Sequence, residues 1–291
     1  MASGETVTTN LTDSLNTMLA AARIVREYKG RMPSLVTKET LKPGTGISWR
    51  ETSFAAISAS AVAETEYFEN PQQYSDTLFS VTPSLIGVHT VVTKRVQERI
   101  ASEAWGKMGG LAQNAIQRKK DEDGLTALDG ASTSLSGAGT TLQSGVIISA
   151  VSRIRGNATE PAEGPVYCVL HGFQVKDLVD ELIAGIGTYA IPEGETAQTF
   201  RNGFEGRIGS AEIYEDGNIT IDSSDDSKGG VFAKESIVLV QGRAAWTTTR
   251  DEPSFGGGGT SIWHWDEYAY GERSAGNWLY EVYSDATAPT G

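Results

Sequence analysis

Two side chains in the middle of the chain have the spacing of a metal-binding pair. Cys168 and His171 are three positions apart, a separation found between ligands of zinc sites. They stand at the end of an apolar run, however, and no second pair of ligands lies near them in the sequence. A packed thiol and a hydrogen-bonded histidine are therefore the favoured interpretation, and we predict no metal site.

An alternating polar series resembles the beginning of an EF-hand calcium loop. It consists of Asp216, Asn218, Thr220 and Asp222. Ile221 stands where such a loop needs glycine, and no glutamate closes the series. These departures favour a solvated turn between two strands.

A glycine run from Gly256 to Gly259 has the composition of a phosphate-binding loop. No helix start, lysine or arginine directly follows it, so a flexible hairpin loop is favoured. The sequence also lacks a nucleophile elbow, a Walker A motif, a dinucleotide fingerprint and a zinc-protease motif. We therefore predict that the chain is not an enzyme and that it binds no cofactor.

Aromatic side chains near the C-terminus suggest a sugar-binding platform as one alternative. They are Trp263, Trp265, Tyr268 and Tyr270 in one predicted strand, facing Trp278, Tyr280 and Tyr283 in the next. Aromatic pairs across strands more often pack against a core or a partner. A structural or interface role is the favoured interpretation.

Composition limits the class of protein further. The chain has 291 residues, of which 39% are hydrophobic and 21% charged, as is typical of a soluble globular protein with room for two cores. The formal net charge of −13 argues against a surface built to bind phosphates. One cysteine excludes an intrachain disulfide. Residues 130–152 carry no charge, but Ser, Thr and Gly dominate their first half, so they are not a membrane span.

The N-terminal region is predicted to form an amphipathic helix that ends near Gly30. Its apolar positions are Leu11, Leu15, Met18, Leu19, Ala22 and Val25, which share one helical face. This helix precedes both predicted cores and cannot bury its apolar face alone. It therefore needs a surface of the same chain or of a neighbouring copy.

Residues 33–83 are predicted to form an extended hairpin. Strands at Leu35–Thr37 and Ile47–Phe54 are joined by a turn at Pro43–Gly46, and Tyr74–Val81 begins another strand. Few bulky apolar residues lie near the tip, so this hairpin has little core of its own.

A long helix is predicted from Lys94 to Lys120, after a strand over Ile86–Val92. Its apolar stripe comprises Val96, Ile100, Ala104, Met108, Leu111 and Ala115. The acidic run Asp121–Gly124 is predicted to end the helix.

The second half of the chain alternates helices and strands before it becomes all strand. We predict a helix with Leu142, Val146, Ile147, Ala150, Val151 and Ile154 on one face, a buried strand at Val166–Leu170, a helix over Phe173–Ile183, short strands at Gly203–Tyr214 and Ile219–Ile221, and an acidic loop over Asp222–Lys228. The later strands are predicted at Ser236–Val240, Ala244–Arg250, Thr260–Tyr270 and Asn277–Tyr283, with turns at Gly242, Gly256–Gly259 and Gly271.

The order of these parts resembles a known family. The segments that carry the resemblance are VTPSLIGVHTVVTKRVQERI, GPVYCVLHGFQVKDLVDEL and RAAWTTTRDE. Together with the N-terminal helix and the extended hairpin, they look like the tailed-bacteriophage major capsid proteins, whose Hong Kong-type fold encapsulin shells share. The resemblance implies an α+β phage capsid fold with an N-terminal arm, an extended β-hairpin loop, a peripheral domain with a long spine helix, and an inserted axial domain.

The resemblance also implies domain boundaries. It gives an N-terminal arm over residues 1–32, an extended loop over 33–84, a peripheral domain with the spine helix over 85–140, an axial domain over 141–231, and C-terminal strands over 232–291 that complete the peripheral domain.

The function implied is that of a shell subunit that assembles as hexamers and pentamers into an icosahedral head around double-stranded DNA. Partners implied are further copies of the chain, a portal, a cement protein and a separate scaffolding protein, since no long charged helical segment precedes the first helix. DNA would be met by non-specific proximity only, and no membrane is involved. The protein would be located in the virion after assembly in the host cytoplasm. An encapsulin-type compartment is the main alternative, and an aromatic-rich carbohydrate-binding protein is the more distant one.

Contacts between copies can be predicted from the charges. No lysine lies between Lys42 and Lys94, so the extended loop lacks the amine with which some family members form an isopeptide bond. We instead expect its carboxylates to pair with cations on a neighbour's helix, and Leu15 and Leu19 to be buried by a neighbour. The carboxylates are Glu51, Glu64, Glu66 and Glu69, and the cations are Arg95, Arg99, Arg118, Lys119 and Lys120.

Overall fold

The structure, a computed structural model, describes residues 5–6, 30–65, 71–99, 102–158, 160–186, 206–254, 256–273 and 276–289. The strands are β1 (Glu5–Thr6), β2 (Thr37–Thr40), β3 (Trp49–Phe54), β4 (Asp76–Val81), β5 (Ser84–Thr93), β6 (Ser134–Ser136), β7 (Val166–Leu170), β8 (Arg207–Ile208), β9 (Ala211–Glu215), β10 (Asp226–Ala233), β11 (Ile237–Glu252), β12 (Gly259–Glu272) and β13 (Leu279–Asp285). The helices are α1 (Met32–Leu35), α2 (Lys94–Arg99), α3 (Ser102–Asp129), α4 (Ser144–Arg155) and α5 (Gly172–Ile186). The predicted helix that contains Leu15 and Leu19 lies outside the described residues.

Strand pairing groups these elements into two larger sheets and one separate hairpin within the described part of the chain. The five-stranded sheet has the order β1-β5-β12-β11-β2, and the six-stranded sheet has the order β6-β13-β10-β7-β9-β8. Strands β3 and β4 pair with each other as the separate hairpin. Helix α3 contacts strands of both larger sheets, so it lies where the two meet.

The six-stranded sheet and its helices confirm the predicted pattern. Strand β7 is buried except for Tyr167, because it runs between β9 and β10 in the middle of the sheet. The apolar faces of α4 and α5 cover the sheet and complete its core. That core includes Leu142, Ile147, Ala150, Val151, Ile154, Val166, Cys168, Leu170, Val175 and Leu178.

Strand β13 is not part of the same sheet as β11 and β12. The C-terminal strands were expected to complete one domain, but β13 pairs with β10 and β6 of the six-stranded sheet. Leu279 and Val282 on β13 are fully buried there. The aromatic residues of β12 and β13 therefore belong to different sheets and do not face one another as the sugar-binding alternative would require.

The long helix ends later than predicted. The acidic run Asp121–Gly124 does not end it, and α3 continues to Asp129. The reason is that this turn is covered by other parts of the chain. Asp121 is fully buried, and Asp123 accepts a hydrogen bond from the Tyr268 hydroxyl at 2.9 Å. A side chain at Gly124 would lie 2.8 Å from Met32 Cβ.

The predicted apolar stripe on this helix is also displaced. Val96 on α2 is fully buried as expected, but Leu111 on α3 is 41% exposed. The face that packs against the sheets instead carries Ala112, Ile116, Lys120, Leu125 and Leu128. Ile100 lies outside the described residues, and the side chains of Ala104 and Met108 are not among those that the structure describes.

Two glycines that were predicted to form turns lie inside long strands. Gly242 is within β11, beside a register shift between Gln241 and Arg243, and Gly271 is within β12. A side chain at Gly242 would lie 2.7 Å from the Glu267 carboxyl carbon, and one at Gly271 would lie 2.3 Å from Val81 Cγ2. Close approach by neighbouring side chains explains both glycines.

The strand predicted at Leu35–Thr37 begins later than expected. Leu35 lies in the short helix α1, which has Pro33 in its first turn. Strand β2 follows and pairs in parallel with β11, so it is not part of the hairpin. The predicted strand at Ile219–Ile221 is reduced to a single bridge between Ile221 and Ser227.

The acidic loop predicted over Asp222–Lys228 is partly strand. Strand β10 begins at Asp226, and both Asp226 and Ser227 are buried. Only the first part of the segment forms the turn that the sequence indicates.

A buried ion pair joins α3 to the five-stranded sheet. Lys120 Nζ lies 2.9 Å from Asp266 Oδ2, and the two residues are only 7% and 2% exposed. Gln241 accepts a hydrogen bond from the same ammonium at 2.8 Å, and the ammonium lies 4.6 Å from the centre of the Tyr268 ring. Removing the cation would leave a buried carboxylate without its counter-ion.

We predict that Lys120→Met lowers the free energy of unfolding of the unassembled subunit by about 3–5 kcal/mol. Urea denaturation measures this loss. Lys119→Met is the matched control, because Lys119 forms an exposed pair with Asp123 on the same helix and such pairs contribute about 0–1 kcal/mol. Equal losses in the two variants would contradict the assignment.

Candidate assembly surfaces

Two buried carboxylates hold the chain where it enters the body of the protein. The Arg31 amide donates to Asp216 Oδ2 at 3.0 Å, and the Met32 amide donates to Asp121 Oδ1 at 2.9 Å. Asn218 links the two acids, because its side-chain nitrogen donates to Asp121 Oδ2 at 2.8 Å and its amide donates to Asp216 Oδ1 at 2.9 Å. We call Asp121, Asp216 and Asn218 the root clasp, since the predicted N-terminal arm ends there.

Gly30 allows the chain to approach the root clasp. A side chain at this position would lie 1.8 Å from Asp121 Cγ, so only glycine fits. From the sequence, the helix is predicted to end at Asp121, and the series that begins at Asp216 is predicted to form a turn. Neither pattern indicates that the two acids meet, because they come from α3 and from the segment after β9, far apart in the sequence.

Burial raises the pKa of one carboxyl group in the root clasp. Loss of solvent around Asp121, together with the nearby charge of Asp216, raises the pKa of its carboxyl from 3.8 to about 6. The hydrogen bonds from Asn218 and from the Met32 amide oppose this rise, since they favour the charged carboxylate. The root clasp is therefore partly protonated in mildly acidic solution.

Contacts with the five-stranded sheet anchor the base of the hairpin. The guanidinium of Arg273 binds Glu51 with an Nε–Oε2 distance of 2.7 Å and lies 5.6 Å from the centre of the Trp49 ring. Trp49 in turn packs edge-to-face on Phe79 at 6.1 Å. Beyond this base the hairpin exposes large apolar side chains, namely Phe54, Ile57, Val62, Tyr74 and Leu78.

Some of the residues predicted to contact a neighbouring copy form ion pairs within the chain, and others are exposed. Glu51 pairs within the chain with Arg273, Arg118 with Glu122, and Lys119 with Asp123. Three others, Glu64, Arg95 and Arg99, are exposed, and the described part of the chain contains no ion-pair partner for them. Glu66, Glu69, Leu15 and Leu19 lie outside the described residues. Lys120 is buried in its pair with Asp266 and is not available to a neighbour, so pairing between copies stays a prediction for the other residues.

Aromatic side chains on the five-stranded sheet form a row on the face opposite α3. Trp263 stacks on His89 with ring centres 4.7 Å apart, and Trp265 stacks on Trp246 at 6.4 Å. Arg243 lies 4.1 Å from the centre of the Trp246 ring. The row is a packed, partly exposed surface.

Cys168 and His171 lie in different surroundings. Cys168 is fully buried in the core of the six-stranded sheet, and this burial strongly raises the pKa of its thiol. His171 accepts a hydrogen bond at Nδ1 from the Phe173 amide at 3.2 Å, and its partial burial lowers its pKa. Within the described ranges, no group of three or more histidine, cysteine or acidic side chains is positioned to hold a metal ion.

The two carboxylates of the calcium-like series accept hydrogen bonds from other groups of the protein. Asp216 belongs to the root clasp, and Asp222 accepts hydrogen bonds from the amides of Ser224 and Asp226 and from the Tyr283 hydroxyl. An open cleft of about 340 Å³ lies beside it, but its charges are paired, for example Lys228 with Asp129 at 2.5 Å. No helix within the described ranges combines the length and the apolar character needed to cross a membrane.

Comparison with solved structures defines the class of fold. The chain has the fold of tailed-phage major capsid proteins, since phage capsid structures match it over nearly its whole length. The head structure of Helicobacter pylori bacteriophage KHP40 matches with a TM-score of 0.70 and 12% identity, covering 96% of this chain and 98% of that one.

Two further structures show the same relationship. The capsid structure of the cyanophage P-SCSP1u matches with a TM-score of 0.69 and 12% identity, covering 96% of this chain and 95% of that one. Mycobacterium phage Che8 matches with a TM-score of 0.69 and 14% identity, covering 94% of this chain and 99% of that one. No family model and no curated protein sequence matches the chain.

The root clasp predicts a specific pH dependence of stability. Because the pKa of Asp121 is raised in the folded chain, the folded state binds more protons than the unfolded state between pH 3.8 and about 6. The free energy of unfolding should therefore fall as pH rises through this window. Asp121→Asn should remove a change in the free energy of unfolding on the order of 1–3 kcal/mol across this window.

Urea denaturation of unassembled subunits across this pH window measures the effect. Glu122→Gln removes one charge from the exposed side of the same turn and is the matched control. Identical pH profiles for wild type and Asp121→Asn would show that the root clasp does not titrate as described.

Proposed function

We propose that the chain is a major capsid protein whose copies assemble as hexamers and pentamers into an icosahedral head that encloses double-stranded DNA. The observation that supports this most strongly is the match to phage capsid structures over 94–96% of the chain. The proposed role is structural, and the proposed location is the virion.

We propose an assignment of the two larger sheets to the domains that the resemblance implies. We assign the five-stranded sheet with α3 to the peripheral domain, and the six-stranded sheet with α4 and α5 to the axial domain. Strand β13 joins the axial domain in this assignment, because it pairs with β10. The hairpin of β3 and β4 is the core of the proposed extended loop.

Exposed apolar surface supports assembly. The hairpin beyond its base exposes Phe54 by 74%, Tyr74 by 73% and Leu78 by 59%. Each such side chain contributes roughly 1.5–3 kcal/mol when it is fully buried. A shell repeats every contact in each subunit, so small gains per copy stabilise the whole particle.

Charges support the same arrangement. Glu64 on the hairpin and Arg95 and Arg99 on α2 are exposed, and we propose that they pair between copies together with the other predicted loop acids. Leu15 and Leu19 would be buried against a neighbour. An exposed pair contributes only about 0–1 kcal/mol, so the charges direct the register and apolar burial supplies most of the affinity.

The acidic balance fits a container for DNA. A net charge of −13 on each subunit would give a largely acidic inner wall, which repels packaged DNA and lets it slide. The proposed contact with the genome is therefore proximity without specific recognition.

Assembly of the purified protein tests the proposed function. We expect fast-sedimenting closed particles in negative-stain electron microscopy, and a single band near 31.0 kDa when these particles are boiled and run on a denaturing gel. A protein that stays monomeric under all assembly conditions, with a co-expressed scaffolding protein included, would contradict the proposal. A ladder of covalent multimers would contradict its non-covalent part alone.

A further inference from the structure

The root clasp buries two carboxyl groups against each other, and no cation among the described residues pairs with them. Asp121 and Asp216 are both fully buried, and Asp216 lies within hydrogen-bonding reach of the Asp121 carboxyl. The donors that reach the two acids are neutral N–H groups, namely the amides of Arg31 and Met32 and both the amide and the side chain of Asn218. A proton shared between the acids makes their contact favourable, whereas ionisation of both places two like charges side by side.

Other ionisable groups around the root clasp do not balance this charge. Lys120 directly precedes Asp121 on α3, but it is the counter-ion of Asp266 on β12. His171 faces Asp216, but burial lowers the pKa of its ring and so disfavours the cation. The groups that face the clasp from the elements packed around it are Asp123 on α3, Tyr270 on β12, Tyr214 and Glu215 at the end of β9, His171 before α5, and the exposed Arg31.

A buried hydroxyl beside the same helical turn lacks an acceptor. The Tyr270 hydroxyl is buried, and no group of the described residues forms a hydrogen bond with it. A side chain at Gly124, one helical turn after Asp121, would lie 3.2 Å from this hydroxyl. The charge of Asp121 also reaches it, since that charge adds to burial and to Tyr268 in raising the pKa of Tyr270. Buried hydroxyls are normally hydrogen-bonded, and Asp121 in a second side-chain rotamer would supply the acceptor.

The chain after the root clasp is held by contacts of its own. Met32 is fully buried, and Leu35 and Val36 are nearly so, in the same core cluster as Leu128 and Phe232. Strand β2 then pairs with β11 over four residues. Loss of the hydrogen bonds to the two acids would therefore free the chain at Gly30 and Arg31 without detaching α1 or β2.

We propose that the root clasp is a two-position lock on the direction of the predicted N-terminal arm. In the closed position Asp121 accepts the Met32 amide beside Asp216. When both acids are ionised, Asp121 turns away from Asp216, releases the Met32 amide and accepts the Tyr270 hydroxyl instead. Proton uptake thus fixes the arm at its root and proton loss frees it. The lock works within a single chain, so it does not depend on the proposed assembly.

Hydrogen exchange of backbone amides in the unassembled subunit measures the lock directly. After correction for the intrinsic pH dependence of exchange, the protection of the Met32 amide should fall about tenfold between pH 5 and pH 7. The reason is that opening admits water to Asp121 and separates it from Asp216, which relieves its raised pKa. Because opening needs no unfolding, the Met32 amide should exchange faster than the hydrogen-bonded amides of β2 and β7 at every pH.

Two variants separate the closed position from the open one. Asp121→Asn keeps the shape of the side chain but cannot ionise, so the Met32 amide should stay protected and lose its pH dependence. Tyr270→Phe removes a hydroxyl that has no partner in the closed position, so it should destabilise the open position alone. The protection of the Met32 amide at pH 7 should then rise about fivefold or more, since the open position loses a hydrogen bond to a charged group. Tyr74→Phe, at an exposed tyrosine after β3, is the matched control and should leave this protection unchanged.

Three results would contradict the proposal. Equal protection of the Met32 amide in the wild type and in Tyr270→Phe at pH 7 would refute the change of partner. Protection that stays constant between pH 5 and pH 7 in the wild type, or that falls equally in Asp121→Asn, would overturn the lock itself. Amides of β2 that lose protection together with the Met32 amide would show that the whole segment detaches, against an opening limited to the root.

Discussion

One charged turn of α3 connects the parts of this subunit. Lys120 binds Asp266 of the five-stranded sheet, and Asp123 accepts the hydroxyl of Tyr268 from the same strand. Asp121, between them, turns to the other side and accepts the amide of Met32 and the side chain of Asn218. A helix that carried only apolar residues here would pack against both sheets but would not fix their register.

This turn also explains where sequence patterns fail. The apolar spacing correctly predicts α4 and α5, because each buries one face in a single core, and the continuous apolar run of β7 reflects burial on both faces of its sheet. The run Asp121–Gly124 looks like a solvated helix end, and its burial depends on strands and loops more than 90 residues away. Local patterns cannot show such partners. For the same reason Gly242 and Gly271 resemble turns, although each lies in a long strand beside a bulky neighbour.

The sequence predicts which elements carry the candidate assembly surfaces, but it does not predict which of their residues are already paired within the chain. The sequence indicates a hairpin with little core and a cationic helix, and the structure shows an anchored base with exposed apolar side chains beyond it. The sequence does not indicate that Glu51 and Lys119 have ion-pair partners within the chain. The unpaired edge of β11 depends on where β2 ends, which only the strand pairing reveals. The fold itself is shared with capsids at 12–14% identity, so it depends on the pattern of burial more than on particular residues.

The most direct measurement of the central claim, that copies of this chain complete one another in a shell, is a reconstruction of assembled particles by electron cryomicroscopy that resolves the backbone. The account predicts icosahedral particles in which the exposed apolar side chains of each hairpin are buried by a neighbouring subunit, while the contacts of Lys120, Asp121 and Asp123 persist within each copy. Particles in which Phe54, Tyr74 and Leu78 face solvent, or in which the hairpin folds back onto its own subunit, would contradict it.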